Sequence, residues 1–291
     1  MTSPAPRLLI TAASGQLGRL VVARLLKSVP ASQIAVAVRS EKAAAEFSAL
    51  GVTAHIADYT QPASLEAAFA GVDRLLLISS SEIGQRFAQH KNAIDAAQKA
   101  GVKLIAYTSV LHADRSPLGL AEEHRQTEAA LAASGVPFTL LRNGWYTENY
   151  LASLPSILAH GAHFGCAGDG KISSAPRADY ADAAAAVLAS TADQAGQVHE
   201  LAGDSAYTLA DFAAEVARLT GKPIAYQNLP EADFKGALLG AGLPEPIAEL
   251  LANSDTGASN GALFDDSHTL SRLIGRPTEP LAVTLAAALK G

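Results

Sequence analysis

Between Arg7 and Leu141 short apolar runs alternate with helical segments, and this alternation limits the architectures open to the chain more than any other feature. The runs are Leu8-Leu9-Ile10, Ile34 to Val38, Val52 to Ile56, Leu75 to Ile78, Leu104 to Tyr107 and Phe138 to Leu141, each of strand length and several bounded by Gly or Ser. Between them lie segments such as Gln16 to Lys27, Ser64 to Phe69, Gly84 to Lys99 and Glu122 to Ala133, with apolar residues three and four apart and good helix formers between. Six strands alternating with five helices predict a parallel sheet covered on both faces, because crossovers between parallel strands are right-handed. In such a sheet the ligand site lies beyond the carboxyl ends of the strands.

The pattern changes after Asn143. Segments rich in Gly, Pro and Ser, notably Gly161 to Ala178, separate helical stretches such as Ala181 to Ala192 and Leu209 to Leu219. A first domain over residues 1–142 and a smaller α+β capping domain over residues 143–291 are expected, with Gln197 to Leu201 able to return a strand to the main sheet. The Ala-rich stretch Ala181 to Ala189 reads as a helix packed by small side chains. No internal repeat is seen in the sequence.

Lys and Arg number 22 against 28 Asp and Glu, a net charge of −6 without a long basic run, which argues against nucleic-acid binding. The single cysteine, Cys166, excludes an internal disulfide and every multi-cysteine metal scheme, and fits a reducing cytosol. The run Leu8-Leu9-Ile10 is too short for a signal-peptide core, and no stretch reaches the roughly 18 apolar residues of a membrane span. A cytoplasmic protein is expected, and base rates for soluble enzymes suggest a homodimer, which sedimentation would test.

The first strand runs into Thr11-Ala12-Ala13-Ser14-Gly15-Gln16-Leu17-Gly18 and the helix begins at once. Such a loop lets backbone N–H groups and a helix N-terminus face a pyrophosphate, Gly15 allowing close approach and Gly18 letting helix pack on strand. This is the Rossmann-like arrangement for a dinucleotide. Position 12 departs from it, since Ala stands where a glycine would be expected; either the turn runs at φ < 0, or Ala12 weakens cofactor binding by about 1 kcal/mol.

The second strand ends in Arg39, where NAD-specific proteins place an acidic residue for the ribose 2′-OH. A guanidinium suits a 2′-phosphate, so NADPH is preferred over NADH; the competing reading is a surface Arg neutralising Glu41. Asp58 either accepts from the adenine amino group or caps the following helix together with Thr60. Ser79, Ser80 and Ser81 end the fourth strand under the nicotinamide ribose or diphosphate, or else cap the next helix.

None of the seven tyrosines, Tyr59, Tyr107, Tyr146, Tyr150, Tyr180, Tyr207 and Tyr226, has a Lys four residues later, so the short-chain dehydrogenase acid dyad is missing. Ser109 stands where a catalytic serine would be, and His124 is the only nearby titratable alternative, with a surface position its commoner reading. His160, His163 and Cys166 recur at three-residue steps before Asp169, but the segment is Gly-rich and lacks a strong fourth ligand, so no metal site is expected. Asp265-Asp266-Ser267 reads as a helix start before Leu270 to Ile274.

The phosphate loop, Arg39, the missing dyad and the run Leu141-Arg142-Asn143-Gly144-Trp145-Tyr146-Thr147-Glu148-Asn149-Tyr150 together resemble the NmrA-like branch of the atypical short-chain dehydrogenases, its quinone-reducing members in particular. The stretches Leu75 to Gln85, Ile105 to Leu120, Leu140 to Ser153, Ala167 to Tyr180 and Leu263 to Leu273 carry the resemblance over nearly the whole chain. It implies a Rossmann-like NADPH domain, a small C-terminal domain closing a quinone pocket, and two-electron quinone reduction by direct hydride transfer without flavin. By position, Ala12, Ala13, Ser14, Gly15, Gln16 and Leu17 would line the pyrophosphate, Arg39 the 2′-phosphate, and Ser79, Ser80 and Ser81 the diphosphate or ribose. Asn143, Gly144, Trp145, Tyr146, Thr147 and Glu148 would serve the nicotinamide end, with Asn143 and Tyr146 as positioning residues and Trp145 able to stack on a flat ring. The branch also includes NADP-sensing regulators, so an NADP(H) sensor without turnover is the alternative. A carbonyl or isoflavone-type reductase is a third reading, and it would need a lysine or His124 as acid.

Overall fold

A computed structural model describes residues 6–290, so Met1 to Ala5 of the N-terminal segment lie outside it. The chain begins with β1 (Leu8–Ile10), α1 (Gln16–Leu25), β2 (Ile34–Val38), α2 (Glu41–Ser48), β3 (Thr53–Ile56), α3 (Pro62–Phe69), β4 (Arg74–Leu77), α4 (Arg86–Ala100), β5 (Leu104–Val110), α5 (Ala121–Ser134) and β6 (Phe138–Asn143). It continues with α6 (Thr147–Leu151), α7 (Leu154–His160), β7 (Ala162–Gly165), α8 (Arg177–Ala189), β8 (Val198–Leu201), α9 (Leu209–Thr220) and β9 (Ala225–Asn228). The last elements are α10 (Glu231–Gly240), α11 (Glu245–Ser259), α12 (Thr269–Ile274) and α13 (Leu281–Ala288).

The main sheet has seven strands in the order β3-β2-β1-β4-β5-β6-β8. Pairing is parallel from β3 through β5, with Leu9 beside both Ala35 and Leu75. Strands covered on both faces by helices need apolar side chains on both, and β1 and β2 are accordingly buried at every residue. Phe69, Ile94 and Leu131 from the helices pack against Ile105 and Tyr107 of β5 in one core cluster. The strand order reverses between β1 and β4, so the loops leaving those two strands are where a doubly wound sheet binds its ligand. The Rossmann-like fold class expected from the sequence is the one found.

Two compact units divide the chain. The first runs to Val110 and takes in Glu123–Arg142 and Arg177–His199; the second holds Leu111–Glu122, Asn143–Pro176 and the chain from Glu200 on. Two segments thus depart from a single cut after residue 142. Arg177–His199 returns to the first unit because α8 lies against α1, Arg24 pairs with Asp182 at 3.2 Å, and Arg74 donates to the Leu188 and Ser190 carbonyls at 2.8 and 2.6 Å. Leu111–Glu122 belongs to the second unit, where Leu111 N–H meets the Asn143 carbonyl at 2.9 Å. That unit adds the parallel pair β7-β9. Asp265 and Asp266 precede a helix rather than starting it: Asp265 accepts from Ser267 N–H at 2.9 Å, and α12 begins at Thr269. No helix of the described residues is long and apolar enough to cross a membrane.

Candidate cofactor site

Thr11 joins the two strands at the point of reversal. Its N–H and hydroxyl both donate to the Leu76 carbonyl, at 3.0 and 2.9 Å, and its Oγ1 accepts from Ile78 N–H at 3.0 Å. The Tyr59 hydroxyl lies 2.5 Å from Thr11 Oγ1 and 2.7 Å from the Ile78 oxygen, and burial pushes this phenol well above its ordinary pKa. These bonds fix the starting point of both loops before either meets a ligand.

From Thr11 the chain turns through Ala12 at φ +47°, which decides the question left open by the sequence: the turn takes the left-handed conformation in which glycine is at ease. Gly15 N–H closes the turn on the Ala12 oxygen at 3.0 Å, and Gly15 is the N-cap of α1. No side chain caps this helix and its first turn carries no acid, so its leading amides and dipole are available to an anion. Ser14, Gly15 and Gln16 are exposed, whereas Ala13 and Leu17 turn their side chains into the core and offer only backbone. A Cβ on Gly18 would stand 2.6 Å from Ala13 Cα, so only glycine lets the helix approach the loop this closely. The cradle thus has the shape, the donors and the polarity that a pyrophosphate requires.

The second loop is tied down from beneath. Ser79 N–H donates to Thr108 Oγ1 at 2.8 Å, and Ser80 N–H to His90 Nε2 at 2.9 Å. The Ser80 carbonyl accepts from Arg86 Nε at 2.7 Å, and its Oγ from Glu82 N–H at 3.2 Å. Burial holds the His90 imidazole neutral, its pKa pushed down to about 3, as an Nε2 acceptor must be. None of the three serines caps α4, whose N-cap is Gln85, so the capping alternative for them falls. Ser81 is exposed at the loop's tip.

Arg39 ends β2 with its side chain 70% exposed, and its ion pair is to Glu82 at 3.2 Å rather than to Glu41. Asp58 is engaged locally: its Oδ1 accepts from Thr60 N–H and Oγ1, both at 2.7 Å, and these bonds, reinforced by Arg39's charge, hold its carboxyl below the usual range. This is a local turn and not a helix cap, since the N-cap of α3 is Gln61 and no side chain caps that helix.

Two candidate acids are accounted for differently from the sequence reading. His124 is not on the surface; it is buried, its Nδ1 is 2.7 Å from the Tyr107 hydroxyl, and burial keeps it neutral far below its ordinary pKa. Ser109 is buried and donates to Glu128 at 2.6 Å, while Arg142 grips the same carboxylate at 3.0 and 2.7 Å. Neither residue is placed to deliver a proton to a substrate at neutral pH.

In the second unit Asn143 ends β6, buried, with Nδ2 3.3 Å from the Tyr146 hydroxyl and Oδ1 without a partner among the described residues. Such an orphaned amide oxygen is a ready acceptor for a ligand N–H or O–H. Gly144 N–H donates to Leu201 O at 2.7 Å, and Thr147 N–H to Ala175 O at 3.0 Å, which fixes the path of the backbone around Trp145 and Tyr146. The Thr147 hydroxyl is 2.8 Å from Ser174 Oγ, so Thr147 is taken up inside the unit. Glu148 lies in the first turn of α6, and the Trp145 ring lies 6.3 Å from that of Tyr150. His163 is buried and His160 exposed, and no group of three or more metal-ligating side chains occurs among the described residues.

Sequence reasoning passed over His90, Arg86, Glu82 and Gln89. Glu82 carried a visible signal, an acid directly after the serine run in a chain that also supplies Arg39. Nothing in the pattern pointed to His90.

The chain matches the model of an NAD(P)H-binding family over residues 12–191. It is 60% identical over 277 residues to quinone oxidoreductase 2 of Escherichia coli, covering 95% of this chain and 96% of that protein. The solved structure of the NADPH-dependent quinone oxidoreductase QOR2 of E. coli in complex with NADPH superposes with a TM-score of 0.95 over 97% of this chain and 99% of that one, at 58% identity. Triphenylmethane reductase of Citrobacter sp., solved with NADP(H), gives a TM-score of 0.93 at 37% identity, over 97% of this chain and 99% of its own. With the glycine cradle at the strand reversal and this profile match, the chain belongs to the NAD(P)H-binding family.

Proposed function

We propose that this protein is an NADPH-dependent quinone oxidoreductase that reduces quinones to hydroquinones by direct two-electron hydride transfer, without flavin. The observation that carries the reading is the 60% identity over 95% of the chain with the E. coli quinone oxidoreductase 2. Bound NADPH supplies the hydride from nicotinamide C4. The amides of Ser14, Gln16 and Leu17 hold the pyrophosphate, while Ala12, Ala13 and Gly15 line the turn, the Ala13 and Gly15 amides being taken up by the Ala37 and Ala12 carbonyls. Arg39 reads the 2′-phosphate, and Ser79, Ser80 and Ser81 hold the diphosphate or ribose.

In the second unit, the Asn143 amide suits a carboxamide or a quinone oxygen, and Tyr146, 3.3 Å from it, sets its orientation. Trp145 offers a flat apolar face, while Gly144, Thr147 and Glu148 complete the segment. No tuned acid is needed. A reduced quinone is a delocalised oxyanion that takes its protons from water, which agrees with the absence of a Tyr/Lys dyad and with the burial of His124. What the protein contributes is position: holding the reacting atoms about 3–3.5 Å apart supplies several kcal/mol. The buried, neutral His124 counts against the carbonyl-reductase reading, which would need it as acid.

The test is loss of NADPH absorbance with a simple benzoquinone or naphthoquinone, beside NADH and the Arg39→Ala variant, after checking the pure protein for flavin. Turnover with NADPH, loss of the preference in the variant and absence of flavin are the expected results. Tight NADPH binding without turnover would replace this reading with that of an NADP(H) sensor.

A further inference from the structure

Arg39 and Glu82 come from different strand ends, yet their charged groups meet at 3.2 Å. Exposed ion pairs usually hold loosely, because two long side chains must be ordered for a screened attraction. Here one partner is tethered. Glu82 Oε2 accepts from Gln89 Nε2 at 2.7 Å, Gln89 is buried on the first turn of α4, and Glu82 N–H donates to Ser80 Oγ at 3.2 Å. A buried amide thus holds one carboxylate oxygen and leaves the other aimed at the guanidinium.

Dinucleotide sites read the ribose 2′ position with one of two chemistries: a carboxylate that accepts from a 2′-OH, or an arginine that pairs with a 2′-phosphate. This chain offers both groups in one place. We propose that Glu82 is a specificity-determining residue, which restrains the preference for a 2′-phosphorylated dinucleotide and lets the same site accept the unphosphorylated one. The inference rests on the assignment of Arg39 to the 2′-phosphate. Without a 2′-phosphate, Glu82 neutralises Arg39 and presents an acceptor to the 2′-OH. With one, the phosphate must displace Glu82 from Arg39 and bear the repulsion of a carboxylate that Gln89 keeps nearby.

The experiment is calorimetric titration of NADP+ and NAD+ into the wild type, Glu82→Gln and Arg39→Ala, with melting temperatures as a check on folding. Glutamine keeps the shape and the bond to Gln89 and removes the charge. The ratio of Kd for NAD+ to Kd for NADP+ is expected to rise about 1.5- to fivefold in Glu82→Gln, the range of an exposed ion pair. It is expected to collapse in Arg39→Ala. If Arg39→Ala lowers the ratio and Glu82→Gln leaves it unchanged or lowers it, the role of Glu82 is overturned and Arg39 stands. If Arg39→Ala leaves the ratio unchanged, the Arg39 assignment fails and the proposal falls with it.

Discussion

Gly18→Ala separates the two jobs of the phosphate loop, its own packing and its hold on the cofactor. The added Cβ would lie 2.6 Å from Ala13 Cα, 2.7 Å from the Ala12 oxygen and 2.9 Å from the Ala13 oxygen. Carbon atoms settle at about 3.5–4.0 Å, so α1 and the loop must part by on the order of 1 Å. Every obstacle is backbone, and no change of rotamer relieves it. Overpacking of this kind costs about 1–3 kcal/mol. Because the parted groups carry the amides assigned to the pyrophosphate, a displacement of that size also weakens cofactor binding, by about tenfold or more. Urea unfolding measures the first effect and fluorescence titration with NADPH the second. Gly15→Ala is the control: its Cβ would meet the Ala12 oxygen at 3.2 Å, and at φ −71° it carries no backbone strain, so its stability is expected to fall by less than about 1 kcal/mol. A Gly18→Ala protein that unfolds and binds NADPH like the wild type would refute the reasoning.

The left-handed turn at Ala12 is strained with or without ligand, so the strain enters stability, and only crowding of the phosphates by its Cβ enters affinity. Ala12→Gly is expected to bind NADPH up to about fivefold more tightly by calorimetry, the equivalent of about 1 kcal/mol; an unchanged or weaker Kd sinks the idea. Asp255 is buried, its carboxylate accepts from Cys166 N–H at 3.1 Å, and burial raises its pKa from 3.8 to about 7. The folded state therefore keeps a proton that the unfolded state has released, and the contribution, full below pH 3.8, is lost as pH rises to about 7. The size is about 4 kcal/mol, so Asp255→Asn should gain stability over the wild type between pH 5 and 8 in urea titrations; a constant difference across that range would contradict it. His124→Ala should lose about 2–4 kcal/mol of stability, through the cavity and the bond lost from Tyr107, yet keep the shape of its kcat/KM profile between about pH 6 and 8. A basic limb lost in that variant would restore His124 as an acid.

What the sequence disclosed, and what it concealed, follows from where burial coincides with apolarity. Strands β1 and β2 are covered on both faces, so their side chains are apolar without interruption and the runs stand out from the chain. The phosphate loop was legible for a similar reason: Gly18 meets backbone atoms, and steric exclusion leaves its mark as a residue type. The sign of φ at Ala12 had no such mark: alanine ordinarily avoids positive φ, and the loop is held in part by a contact between distant residues, Ala13 N–H to the Ala37 carbonyl at 3.4 Å. The His124 reading failed because α5 opens with a polar run, Glu122-Glu123-His124-Arg125-Gln126, within which the Tyr107 hydroxyl makes one member an interior residue. Strand β7 inverts the pattern altogether: His163 and Gly165 are buried while Phe164 between them is 41% exposed. Gly165 is small so that Asp255 can approach, a Cβ there falling 2.7 Å from the carboxylate, and His163 lies against Phe212 with ring centroids 5.1 Å apart. A period-two pattern reports a sheet face only when the buried face is apolar. Where polar side chains form the interior, as around His90 and Asp255, their pairing carries the information, and pairing between distant residues has no period to read.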